Sequence, residues 1–281
     1  MRFLGPLFLL FSFQLLADSE IKSQVHEIDY GDQLGDEIYI LLKSGHVAKL
    51  QKWNQSFLKT LTDSKEQKTW LKITLDDNRY IKIVSLIPTQ KIKRSSFILS
   101  EKEGYIPTTI ANTSTAKQYF RESRRTTKEE TQCFNRAMVW TYEWWKKHSL
   151  KSGKLLIFFT RNYIRKYNFD WWFHITPYVH ILDDNGKVVE RTMDVKYSSG
   201  PLEFKKWTDI FMRNNAACPI IDRYSQYADY PYSGDCFLIR THMYTYQPAD
   251  LQMYEAWNYT KDNFNMDEVK AAYLEAFDIN L

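Results

Sequence analysis

Cysteine is scarce, with 3 in 281 residues. No two Cys or His residues stand at Cys-x-x-Cys or His-x-x-x-His spacing, which argues against a structural zinc site. Long apolar runs are missing too. The longest, Phe3 to Leu16, falls short of the roughly 20 residues of a membrane-spanning helix. Charge of one sign is also lacking: the formal net charge of +4 is spread along the chain, and no run of five or six basic residues appears outside the short Lys91–Arg94 and Arg121–Arg125 patches. That pattern speaks against nucleic acid as a partner.

What is present starts with Met1-Arg2, the apolar stretch to Leu16, and Ala17-Asp18. This order reads as a secretory signal peptide over residues 1–17, cut after Ala17, and implies an exported protein, periplasmic or extracellular. Leu15 is a poor third residue before that cut. Roughly 260 residues remain, room for one large domain or two smaller ones, and the pattern favours two.

Residues 18–90 alternate short apolar runs with turns: Glu37–Leu42, Ser56-Phe57-Leu58, Thr69–Leu75 and Tyr80–Val84, with Asp76–Arg79 as a hairpin turn. They predict a small β-rich unit. Residues 91–127, rich in Ser, Thr, Lys and Arg, read as a protease-accessible linker. From 128 the order is α+β. A helix with Phe134, Ala137, Met138, Thr141 and Trp145 on one face ends near Lys146-Lys147-His148, and strands follow over Leu155–Phe159, Trp171–Leu182 and Lys187–Val195, with Asp183–Gly186 as the turn between the last two. Leu202, Phe204, Trp207, Ile210 and Phe211 suit the buried face of a short helix. The 19 Tyr, 17 Phe and 9 Trp are mostly core material.

Three cysteines in an exported chain leave one unpaired. Cys218 and Cys236 bracket a segment poor in apolar pattern. A disulfide between them would close a loop of roughly 18 residues and add on the order of 3 kcal/mol. The free thiol is then Cys133, near the start of the strongest helix, where orphan backbone N–H groups and the helix dipole favour a thiolate. A helix beginning at the Thr127–Glu130 capping-box pattern would put Cys133 in its second turn; one beginning at Thr131 would leave N–H groups for both the sulfur and an oxyanion.

A cysteine nucleophile needs an imidazole. His174 lies on the first strand of the hairpin, and folding about Asp184-Asn185 brings it opposite position 194 or 195, where Asp194 stands. A carboxylate there would fix the tautomer and stabilise the imidazolium. The order Cys133, His174, Asp194 is that of papain-like and transglutaminase-like acyl-transfer sites. His180, on the same strand face, is the alternative base, while His26, His46 and His148 are expected at the surface.

At these residues the chain resembles bacterial protein-glutaminases, secreted enzymes that deamidate glutamine side chains in proteins. The resemblance rests on Cys133-Phe134-Asn135-Arg136-Ala137, on Trp172–Val179, and on Met193-Asp194 with Pro201-Leu202. It spans roughly Gln132 to Trp207. It implies Cys133 as nucleophile, His174 as base, Asp194 as orienting acid, a papain/transglutaminase-like catalytic domain over 128–281, a protein substrate with an accessible glutamine, and no cofactor. Backbone N–H groups near Gln132 and Cys133 would hold the oxyanion, and Trp171, Trp172 and Phe173 would wall the glutamine stem. Family members carry a pro-segment over the active site, a role open to the β-rich unit, as is that of a permanent partner-binding domain. The family's acid is commonly followed by Pro-Ser, whereas Val195-Lys196 follows here. A cysteine peptidase, a transglutaminase or a catalytically silent binding protein are the competing readings of the same triad.

Overall fold

The computed structural model describes residues 19–31, 36–88, 99–101, 104–125 and 131–281. The signal-peptide segment and the Thr127–Glu130 capping pattern lie outside them. Two compact units divide the chain: residues 1–40 with 48–89, and residues 90–281 together with the short segment Leu41–Val47.

The first unit holds β1 (Ser19–Ser23), β2 (Val25–Asp29), most of β3 (Glu37–Leu42) and β4 (Val47–Gln51), α1 (Gln55–Gln67), β5 (Leu71–Leu75) and β6 (Ile81–Leu86). The sheet orders are β1-β5-β6 and β2-β3-β4. The Asp76–Arg79 turn joins β5 to β6 as expected. Ser56-Phe57-Leu58 does not form a strand: Asn54 caps α1 by accepting from the Phe57 N–H, and a thirteen-residue helix begins there. The apolar run was too short to tell the two apart.

In the second unit come β7 (Leu99–Glu101), β8 (Thr109–Ile110), α2 (Thr113–Glu122), α3 (Cys133–His148), β9 (Gly153–Phe159), α4 (Arg161–Tyr167), β10 (Phe173–Leu182), β11 (Val188–Thr192), α5 (Phe204–Thr208), α6 (Tyr224–Ala228), β12 (Cys236–His242), α7 (Pro248–Trp257), β13 (Tyr259–Lys261) and α8 (Met266–Phe277). The main sheet has the order β11-β10-β9-β12, with β8 added to β10. It is antiparallel except for β8, which runs parallel to β10. β8 and α2 fall inside the stretch read as a linker, and the boundary expected at residue 128 therefore cuts through the second unit. Ile110, Ala116 and Phe120 anchor them in the main core.

That core lies between α3, α8 and the sheet, with Met138, Val139, Trp140, Trp144, Val179, Ile181, Val269, Ala272 and Ala276 in one cluster. Trp144, and not Trp145, completes the buried face of α3, for Trp145 is 42% exposed. The sheet's central strand β9 is buried at every residue, and from Leu155 to Phe159 it reads as a continuous apolar run for that reason. The Cys218–Cys236 disulfide is formed, tying the irregular segment to the start of β12. Among the described residues no helix is long and apolar enough to cross a membrane.

Candidate active site

Cys133 is the first residue of α3. Its N-cap, Gln132, makes no side-chain capping bond, so no side chain occupies the first-turn N–H groups from that position. Cys133 is the free cysteine and is 9% exposed.

His174 enters from β10 and is 1% exposed. Its Nε2 lies 2.7 Å from Asp194 Oδ2, leaving Nδ1 for the sulfur of Cys133, with which the ring also hydrogen-bonds. Asp194 does not come from a facing strand position. The register pairs Tyr178 with Thr192, and β11 ends there. Asp194 sits in the turn beyond, whose Tyr197 and Ser198 N–H groups donate back to its carbonyl at 3.2 and 3.0 Å. The hairpin argument found the residue, although the true register runs two positions away from a direct His174–Asp194 pairing.

Electrostatics and geometry agree. Burial pulls the His174 pKa down, but the charge of Asp194 and of Cys133, with hydrogen bonds from both, outweighs it and raises His174 to about 9. Burial pushes the Asp194 carboxyl up. The charge and hydrogen bond of His174, the charge of Arg136 and the N–H of Trp207 together hold it below its ordinary value. Trp207 Nε1 donates to Asp194 Oδ2 at 3.0 Å.

Aromatic rings enclose the imidazole. Trp171 stacks on it with centroids 5.6 Å apart, Tyr197 meets it edge-on at 5.2 Å, and Phe211 lies at 4.8 Å. Of the three aromatic residues expected to line a substrate, only Trp171 is part-exposed beside the histidine. Trp172 and Phe173 are each 1% exposed. Trp172 donates its backbone N–H to Gly45 O at 3.0 Å and its indole N–H to Leu42 O at 2.7 Å. Gly45 has φ +94°, and a Cβ there would stand 3.3 Å from the Phe173 ring, so this turn needs glycine on both counts. Gln132 is half-buried beside Cys133.

The other histidines stand apart from this cluster. His180 lies 3.7 Å from Glu190. His148 is not free at the surface: it stacks on Tyr119 and approaches Glu122 at 3.1 Å. His46 and His26 are half-buried, and His46 pairs with Trp171 in an isolated bridge. Among the described residues no group of three or more His, Cys, Asp or Glu is arranged to hold a metal ion. Sequence reasoning missed Arg136, Tyr197 and Trp207 around the three-residue cluster. Arg136 was visible as part of the Cys-x-x-Arg block, whereas Trp207 carried only the signature of a core residue.

Residues 109–211, the span that contains Cys133, His174 and Asp194, match the glutaminase family model. The fold is similar to the crystal structure of a pro-protein-glutaminase, with 14% identity, 91% of this chain and 92% of that chain covered, and a TM-score of 0.51. A mutant of pro-protein-glutaminase matches with 14% identity over 94% of this chain and 96% of that one, again at a TM-score of 0.51. No curated protein matches the sequence. The family match over residues 109–211 and the likeness of fold to pro-protein-glutaminase together point to a hydrolase acting on amide C–N bonds, within a mixed α/β fold.

Proposed function

We propose that this chain is an exported cysteine amidohydrolase that deamidates protein-bound glutamine through Cys133, His174 and Asp194, in a papain/transglutaminase-like catalytic domain. The observation that carries the reading is the convergence of the one free thiol, a buried imidazole and a buried carboxylate inside the span that matches the glutaminase family. The Cys133 thiolate attacks the side-chain carboxamide carbon. Backbone N–H groups at the start of α3, near Gln132 and Cys133, stabilise the oxyanion. The His174 imidazolium passes its proton to the departing ammonia, leaving a thioester; the neutral ring then takes a proton from water as that water attacks, and glutamate and the free thiol are regenerated. Asp194 holds the ring at Nε2 throughout, so Nδ1 is the proton carrier. No step calls for a cofactor.

Trp171, beside the imidazole, suits one wall for the glutamine stem. Trp172 and Phe173 serve it indirectly, from the core beneath. The segment Leu41–Val47 lies against Asp170–Phe173 through backbone hydrogen bonds, which supports reading the residues before the catalytic domain as a pro-segment whose loss opens that edge to a substrate strand. The disulfide fits an oxidising compartment, in keeping with export through the N-terminal signal peptide.

The deciding assay is ammonia release from a glutamine-containing protein, before and after limited proteolysis, beside Cys133→Ala. Ammonia without new peptide termini, lost in the variant, is the expected outcome. New termini without ammonia would identify a peptidase, incorporation of an added amine a transglutaminase, and no turnover at all a silent domain.

A further inference from the structure

Arg136 is 2% exposed, yet among the described residues no carboxylate lies within ion-pair distance of its guanidinium. Its Nη1 donates to the Thr131 carbonyl and, at 2.8 Å, to Thr131 Oγ1. Its Cζ lies 5.9 Å from the Tyr197 ring centroid. Its Nε has no hydrogen-bond partner, and neither does Asp194 Oδ1, which is of opposite charge. A guanidinium sealed from water without a contacting anion is costly, so its charge must be balanced at longer range.

Position supplies the balance. Arg136 stands one helical turn after Cys133, so their side chains share a face of α3. The buried carboxylate of the cluster is Asp194, which feels the Arg136 charge. With Cys133 as thiolate and His174 as imidazolium, the two anions and two cations cancel. Without Arg136 the same set would hold an uncompensated negative charge in a dry pocket, which burial opposes.

We propose that Arg136 is a positioning residue of this site. Its fixed charge keeps the buried anions ionised, Asp194 foremost, while its grip on Thr131 fixes the turn that leads into the N–H groups beside Cys133. The proposal rests on Cys133, His174 and Asp194 acting together, but not on which amide they cleave. The geometry is matched by the chemistry, since Arg136 also helps hold the Asp194 carboxyl down.

The two tasks separate by substitution. R136K keeps the charge and loses the forked grip; R136Q keeps a donor and loses the charge. The readout is the rate of Cys133 alkylation by iodoacetamide against pH, which needs no substrate and reports one thiol because the other two cysteines are bridged. In R136Q the acid-side limb should move up by about one pH unit, the scale of losing a neighbouring opposite charge. In R136K it should stay where the native protein has it, while ammonia release falls because the turn is looser. A limb unmoved in R136Q, or moved equally in both variants, overturns the proposal. Should R136Q fail to fold, R136K decides alone, a displaced limb counting against it. Absence of ammonia release from the native protein, with the alkylation pattern intact, would remove the glutaminase reading and leave Arg136's role standing.

Discussion

A histidine that is 1% exposed would titrate below its ordinary value if burial acted alone, because the charged form is the one that loses solvation. His174 goes the other way, to about 9, because Asp194 and Cys133 both favour its cation. The sign gives a direct test. In the native protein the His174 ring should keep its proton through neutral pH and lose it near 9, as followed by NMR of the imidazole. In Asp194→Asn the carboxylate is gone while burial remains, so the midpoint should fall by about a pH unit or more. A midpoint unchanged in the variant would mean that Asp194 does not govern this imidazole. At this scale the sequence was informative about identities and silent about surroundings. Odd-cysteine arithmetic isolated Cys133, and a hairpin turn brought His174 and Asp194 together despite a register two residues off. Asp194 tolerated that error because it reaches the ring from a turn rather than across a ladder. Trp207 and Tyr197 were illegible, since they come from α5 and the turn after β11 and reach Asp194 and His174 only in the fold.

Among the elements, those with a strong period or a bounded apolar run were readable: α3, β9 and the β10–β11 hairpin. α4 and α1 were not, because each is short or mixed and depends on a cap. Thr160 starts α4 by accepting from the Tyr163 N–H, directly after the buried run of β9. The close approach of β9 to β10 had no sequence signal either. Gly153 pairs directly with Tyr178, and a Cβ on Gly153 would fall inside the tyrosine ring's contact distance. That ring belongs to the strand carrying His174, and it has rigid neighbours, with Phe204 5.6 Å away edge-on. Gly153→Ala should therefore cost about 1–3 kcal/mol, the usual scale of overpacking, measurable as a lower urea midpoint at unchanged slope. Full native stability would show that Tyr178 swings aside freely and that this pairing does not tighten the sheet.

For the molecule as a whole, composition put the end of the first unit at residue 90, one residue from where the compact units divide, and misread the stretch that follows. A polar, weakly periodic stretch reads as linker even where two of its elements are anchored by a few apolar residues, as β8 and α2 are by Ile110, Ala116 and Phe120. The chain passes from the first compact unit to the second between Thr89 and Gln90, and Lys91, Lys93 and Arg94 follow directly. Junctions between compact units are where proteases cut first. Brief trypsin treatment should therefore give a C-terminal fragment that begins between Ile92 and Ser95, identified by mass spectrometry, and not one that begins at Glu129. The cut alone should not release the other fragment. Leu41–Val47 travels with that fragment, yet Val47 N–H donates to Asp170 O at 2.8 Å and Trp172 donates to Gly45 O and Leu42 O. Those bonds survive cleavage near residue 92. The two pieces should co-elute on a sizing column after the first cut, and separate only when digestion proceeds into the N-terminal piece. If removal of a pro-segment is what exposes the site, ammonia release should follow that second event and not the first. Activity rising in step with the first cut would place the restraint in the covalent connection rather than in the hydrogen bonds at Asp170–Trp172.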